Sequence, residues 1–219
     1  MTKITAAGLA LVVALASTTS LCAQTTEAVP ADSPEISPGG LVLGTEVASG
    51  DKIGDTYTVA TFEAWEQRCI RTESGIDPCQ LYLLVKDADG NATAEFSIFG
   101  LPVTEANPAA AGATFIAPLE TLLTTGLMLQ IDDKPAKGYP FTFCTQIGCI
   151  ARLGFTTEEL DALKSGSEAK AVIVPFVAPT EKVELAISLK GLTAGLEAVD
   201  AANDAADAAA AAAAPTTAQ

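Results

Sequence analysis

The stretch that most constrains this chain is Tyr139-Pro-Phe-Thr-Phe-Cys-Thr-Gln-Ile-Gly-Cys-Ile-Ala-Arg152, in which Cys144 and Cys149 each stand at the mouth of an apolar run. It reads as a β-hairpin closed by a disulfide. In such a hairpin Phe141 and Phe143 share one face, Thr142 and Cys144 take the other, and a turn at Gly148 returns Cys149 opposite Cys144. Cys69 and Cys79 form a second candidate pair, set at the ends of the β-like segments Phe62–Cys69 and Cys79–Val85 around a loop of charged and turn-forming residues. A bridge closing roughly ten residues contributes about 2 to 3 kcal/mol in the chain-entropy model, and the shorter Cys144–Cys149 loop slightly less. Set against a typical net domain stability of about 5 to 15 kcal/mol, two such staples weigh heavily. The expectation is a disulfide-stapled β domain of an oxidising compartment.

The two ends of the chain have a different character. Residues 1–23 read as a secretory signal, with Lys3, an apolar run from Ile4 to Ala16 and a small-residue exit from Ser17 to Ala23. That run is shorter than a spanning helix requires, and cleavage after Ala23 starts the mature chain at Gln24. Cys22 carries a rival reading as the lipidated first residue of an outer-membrane lipoprotein, against which stands the bulky Leu21 before it. Loss of Cys22 with the signal leaves four cysteines, the even count of a disulfide framework. Residues 24–50, rich in proline and acids, read as a disordered linker, residues 51–200 as the β domain, and residues 201–219 as an alanine-rich tail, frayed helix or disordered.

Composition narrows the function classes. With 219 residues, 49% of them hydrophobic, the chain can bury one full core. A formal charge of −15 disfavours nucleic acid and anionic lipid surfaces as partners. The chain has no histidine, which removes Ser-His-Asp and Cys-His catalysis and imidazole metal sites. No cofactor or metal is expected: the cysteines lack C-x2-C spacing, so thiolate zinc and redox catalysis are both disfavoured. Asp87-Ala-Asp89-Gly90-Asn91 has the start of a calcium loop but lacks its later ligands, and reads as an Asp-Gly hairpin turn.

Alternation predicts strands at Thr56–Phe62, Leu81–Lys86, Thr93–Phe99, Leu127–Ile131, Ala169–Val177 and Lys182–Leu189. Pro118 marks a strand end with one helical turn after it, and Pro175 suggests a sheet edge or a bulge. Thr156-Thr-Glu-Glu159 is a capping box opening a helix that carries Leu160 and Leu163, with Gly166 as its stop. Leu192, Leu196 and Val199 recur at the spacing of a short helix packed on the domain.

Several of these pieces, in this order, resemble one family. They are Phe62-Glu-Ala-Trp65-Glu-Gln-Arg68-Cys69, Pro78-Cys79-Gln-Leu, Ala117-Pro-Leu-Glu-Thr-Leu-Leu-Thr-Thr-Gly-Leu127, Pro140-Phe-Thr-Phe-Cys144 with Gly148-Cys149, and Ser188-Leu-Lys-Gly-Leu192. Together they are similar to the invasion-associated locus B family of exported bacterial proteins, over Tyr57 to Val199. The resemblance implies an immunoglobulin-like β-sandwich, here with one or two short helices, exported to the periplasm or beyond. It carries over no catalytic residues.

The candidate interaction residues are Trp65, Arg68 and Arg152. Trp65 is either a binding platform or an indole packed against a disulfide, and the two arginines either hold an anionic group or form structural ion pairs. Asp132 with Asp133 and Glu158 with Glu159 are the adjacent carboxylate pairs a hydrolase would need, yet turn and cap positions already account for them. The expected function is a non-enzymatic envelope module that binds another envelope protein or a small ligand through a strand edge or loop. The alternatives are a carboxylate-dependent hydrolase and a lipoprotein anchored at Cys22.

Overall fold

The computed structural model describes residues 52–213. The expected signal, Cys22, the expected linker and residues 214–219 lie outside the described residues. Among the described residues, eleven strands form two antiparallel sheets with two helices. β1 (Thr56–Phe62), β2 (Trp65–Ile70), β3 (Cys79–Lys86), β4 (Ala92–Gly100) and β5 (Ala111–Ala117) form a meander. It is continued by β9 (Gly148–Phe155) and closed at its edge by β8 (Phe141–Thr145). The smaller sheet runs β11 (Val183–Ser188), β10 (Glu168–Ile173), β6 (Leu127–Ile131), β7 (Lys137–Tyr139). The expected mainly β sandwich with two helices and two local disulfides is the fold observed.

Period-2 alternation explains why the large sheet has a dry face. Leu81, Phe96, Phe115 and Phe155 sit at inward positions of neighbouring strands and are almost fully buried, while Arg68, Glu95, Thr114 and Arg152 take the other face. Two covers share the dry face. The small sheet contributes Leu129, Leu185 and Ile187 to the common core, and α2 (Leu192–Ala213) lays Leu192, Leu196 and Val199 across the β1–β4 end. Trp65 stands where they meet. Its indole N–H donates to the Ser188 carbonyl at the end of β11 (2.9 Å), and its ring meets Phe96 edge-on at 6.0 Å.

Both disulfides join residues that face each other across antiparallel strands, Cys69 with Cys79 and Cys144 with Cys149, each with Cα atoms 4.0 Å apart. The loop closed by the first is organised by Asp77, which accepts from the Thr72 amide (2.7 Å) and the Tyr57 hydroxyl (2.9 Å). The Thr72 amide, ahead of the Tyr57 bond, holds the Asp77 carboxyl below its ordinary range. Asp87 closes its turn as expected of an Asp-Gly hairpin, accepting from the Asp89 and Asn91 amides at 3.0 and 2.9 Å. The capping box is also formed: Glu159 N–H donates to Thr156 Oγ1 (3.3 Å), and Thr156 N–H to Glu159 Oε2 (2.9 Å).

Four local expectations are corrected. A bulge at Thr142 shifts the register between Phe141 and Phe143, which pair with Ala151 and Ile150 and so take opposite faces. Pro175 marks neither an edge nor a bulge, because β10 is an inner strand that ends at Ile173, and Pro175 makes an isolated bridge with Thr121. The helical turn expected at Pro118 falls later, as a 3-10 turn at Leu123–Thr125. Gly166 ends α1 (Thr157–Ser165) as expected, with extended backbone (φ −77°); what demands glycine is crowding, since a Cβ would lie 2.7 Å from Asp132 Oδ2 and 2.8 Å from the Ala162 carbonyl.

The last correction concerns α2. It does not stop near Val199 but continues through the alanine run to Ala213. Polar side chains explain how an alanine-rich helix stays docked. Asn203 accepts from the Cys79 amide (2.8 Å) and donates to the Cys79 carbonyl (3.0 Å), and Asp200 accepts from the Gly100 amide (3.2 Å). These bonds satisfy backbone groups at the ends of β3 and β4.

Replacing Asn203 with alanine leaves both Cys79 backbone groups without that partner, and is expected to lower unfolding free energy by about 1 to 3 kcal/mol in urea titrations. Gly148 has φ +143°, and a methyl there would meet Ile116 Cγ2 at 2.7 Å and run into the Ala117 carbonyl. Gly148→Ala is therefore expected to destabilise by about 2 kcal/mol or more in the same assay, and an unchanged midpoint would contradict this packing.

Candidate functional site

The sequence singled out residues that the fold scatters. Trp65 is fully buried, so it offers no surface to a partner. Arg68 donates through Nε to Glu66 Oε2 (2.9 Å) and stacks 3.4 Å from the Tyr82 ring centroid. The Arg68 hydrogen bond holds the Glu66 carboxyl below its ordinary range, while burial, with Glu95 adding to it, pushes the Tyr82 phenol up. Arg152 lies on the same outer face but four strands away, about 19 Å at ordinary strand spacing. It sits 6.0 Å from the Phe143 ring and has no carboxylate within ion-pair distance among the described residues. The two arginines thus do not converge on one anion.

The two carboxylate pairs lie at opposite ends of α1. Asp132, at φ +46°, accepts from the Ser167 and Glu168 amides (both 3.1 Å) beyond the C-terminal end of α1. Glu159 is tied into the cap at the other end and pairs with Lys137. Between Glu159 and Gly166, beside which Asp132 sits, the helix rises about 10 Å, and each group is already held by backbone amides.

Two surface features concern us among the described residues, and cross-strand register builds the first. Leu84 faces Glu95, Glu95 faces Ile116, Ile116 faces Ile150, and Ile150 faces Phe143 on the edge strand β8. Phe143 and Leu84 are each 42% exposed, and Ile147, in the two-residue turn between Thr145 and Gly148, is 72% exposed. Leu119 (56% exposed) lies beside the hairpin, its carbonyl within reach of Cys149 Sγ. The Cys144–Cys149 disulfide holds this hairpin at the sheet edge, and among the described residues β8 pairs only with β9. The sequence shows the apolar residues of the row, but only the bulge at Thr142 turns Phe143 outward.

The second feature is a cleft of about 180 Å³ between the β6–β7 hairpin and the start of α1. Leu129, Ile131, Phe155 and Ala162 line its apolar part, while Lys134, Tyr139 and Glu158 also border it. Tyr139 meets Phe155 edge-on at 6.2 Å, and burial, reinforced by the Glu159 charge, pushes its phenol up to about 12. Burial also pushes the Glu159 carboxyl up, but hydrogen bonds from Lys137 and from Thr156 outweigh it and leave the group below its ordinary value. Glu159 is therefore a charged, paired structural group. No sequence signal marks this cleft, because its residues come from two stretches, 129–139 and 155–162, that only the fold brings together.

Comparison with known proteins agrees with this architecture. The family profile described as invasion associated locus B (IalB) protein matches residues 65–200, more than half of the chain. Two invasion protein B homologs, from Brucella abortus strain 2308 and Brucella abortus biovar 1 strain 9-941, are each 34% identical over 86 residues, which is 39% of this chain and 49% of the relative. The chain thus spans about half the length of the curated relatives it matches. The crystal structure of invasion associated protein B from Bartonella henselae superposes with a TM-score of 0.52 at 18% identity, covering 64% of this chain and 94% of that one, a likeness of fold. With the matched region running from Trp65 on β2 to Asp200 on α2, the chain belongs to the invasion-associated locus B family.

Proposed function

We propose that this protein is an exported, non-enzymatic interaction module of the bacterial envelope, with residues 1–23 removed on export and the mature chain beginning at Gln24. The observation that carries this reading is the apolar row on the disulfide-held β8–β9 hairpin, where Phe143 and Ile147 stand exposed beside an edge strand. An edge strand offers unpaired backbone donors and acceptors, and adjacent exposed side chains add burial when a partner strand joins it. The partner is another envelope protein that pairs along β8 and covers Phe143 and Ile147. Two disulfides suit an oxidising compartment outside the cytosol. Among the described residues no helix is long and apolar enough to cross a membrane.

A photo-crosslinking amino acid at position 147, introduced in the cell of origin, is expected to capture a defined envelope protein, with capture falling about tenfold when Phe143→Lys is added. Capture that ignores Phe143→Lys, or no specific partner at all, would remove the hairpin from the interface. Intact mass of the exported protein is expected to match a start at Gln24, whereas an acylated Cys22 would establish the lipoprotein alternative.

A further inference from the structure

The cleft between the β6–β7 hairpin and α1 is independent of the hairpin surface and has the features of a small-ligand site. Its size is the first constraint. An apolar cavity of about 150 Å³ accommodates benzene. At about 180 Å³ this cleft, open on one side, has room for one ring or a short branched chain with a small polar head.

Its lining is the second constraint. Leu129, Ile131 and Ala162 are buried core side chains, and Phe155 is fully buried with Tyr139 packed edge-on against it. This apolar part is built from strands and a capped helix, so it needs no rearrangement to receive an apolar body. At the rim, the polar groups divide by whether they already have partners. Lys137 and Glu159 neutralise each other. Lys134 has no carboxylate within ion-pair distance among the described residues, and its backbone is held by Lys134 N–H to the Ile131 carbonyl (3.0 Å) and by Gln130 Nε2 to its own carbonyl (3.0 Å). The Tyr139 hydroxyl likewise has no hydrogen-bond partner among the described residues, although Tyr57, the other tyrosine at a strand edge, is bonded to Asp77. The cleft therefore holds an uncommitted cation and an uncommitted hydroxyl donor beside an apolar floor.

We infer that this cleft binds a small monocarboxylate with an apolar body, an aromatic or branched-chain carboxylic acid, its carboxylate received by Lys134 and the Tyr139 hydroxyl and its apolar part lying against Leu129, Ile131 and Ala162. Glu158, the other charged group at the rim, sets the competing possibility of an organic cation. The Tyr139 hydroxyl can hydrogen-bond either head group, so the assignment rests on the Lys134 ammonium, which bonds a carboxylate with charge assistance, and benzoate set against benzylamine tests it. Because the phenol stays protonated through neutral and mildly alkaline pH, it remains a donor there.

Benzoate is a direct probe, titrated against the folded, disulfide-bonded domain by amide chemical-shift mapping. Saturable shifts confined to the β6–β7 hairpin and the start of α1 are expected. Benzylamine, of similar shape and opposite charge, is expected to bind at least about fivefold more weakly, and Lys134→Gln to weaken benzoate by a similar factor. Ala162→Leu fills the apolar part and should abolish binding; should that variant misfold, Lys134→Gln at the exposed rim still tests the assignment. No saturable shift up to about 50 mM benzoate, well beyond the weakest useful affinities, would overturn the inference. So would benzylamine binding as tightly as benzoate, or affinity indifferent to Lys134→Gln. Ile147→Lys on the distant hairpin should leave benzoate binding unchanged, so failure here and failure of the hairpin interface remain distinct.

Discussion

The architecture depends on one buried indole. Trp65 lies on the dry face of the large sheet at the line where the small sheet and α2 meet, and its single N–H has to find an acceptor in a place water does not reach. The Ser188 carbonyl supplies it. That bond ties β2 to the end of β11, from which the chain turns directly into α2. The position of the last strand, the start of the helix and the cover over the sheet are thus coupled through a single donor. Phe96 and Phe115 extend the aromatic contact from the indole across the middle of the sheet.

The disulfides act on a more local scale. Each joins residues already opposite one another in an antiparallel pair, so neither bridges the two sheets. Their contribution is to hold two hairpins against fraying, one beside the Asp77-organised loop and one at the β8 edge. The second case matters for the proposed interface, because β8 carries Phe143 with Ile147 in the turn beside it, and a bridged hairpin presents them in one register. The cleft at α1 draws its order from another source, the reciprocal hydrogen bonds of Thr156 and Glu159 and the ion pair to Lys137. Two surfaces of different chemistry are thus set by two unrelated local devices on one core.

Much of this fold was legible in the residues. The alternation at Thr56–Phe62 and Leu127–Ile131, the capping box at Thr156 and the turn at Asp87 each depend on neighbours in sequence, and each appears where the pattern places it. The candidate site was much less legible. Arg68 and Arg152 both stand close to cysteines in sequence, yet three intervening strands keep them apart. The paired carboxylates proved to be a helix cap and an acceptor for the Ser167 and Glu168 amides, at opposite ends of α1.

By itself the sequence determined the local matters: most of the strands, though not the whole of β5 nor β7, where α1 begins, and which cysteines lie close enough in the chain to meet across a hairpin. These follow from side-chain periodicity and short-range hydrogen bonding, whose range is a few residues. Only the tertiary structure decided that α2 runs on through the alanine segment, because Asn203 and Asp200 find partners on β3 and β4 more than 90 residues earlier. It alone decided that Phe143 faces outward, through the bulge at Thr142, and that Lys134, Tyr139 and Ala162 border one cleft. Such features depend on which backbone groups are left to be satisfied once the sheets have packed, and no short stretch of residues carries that information.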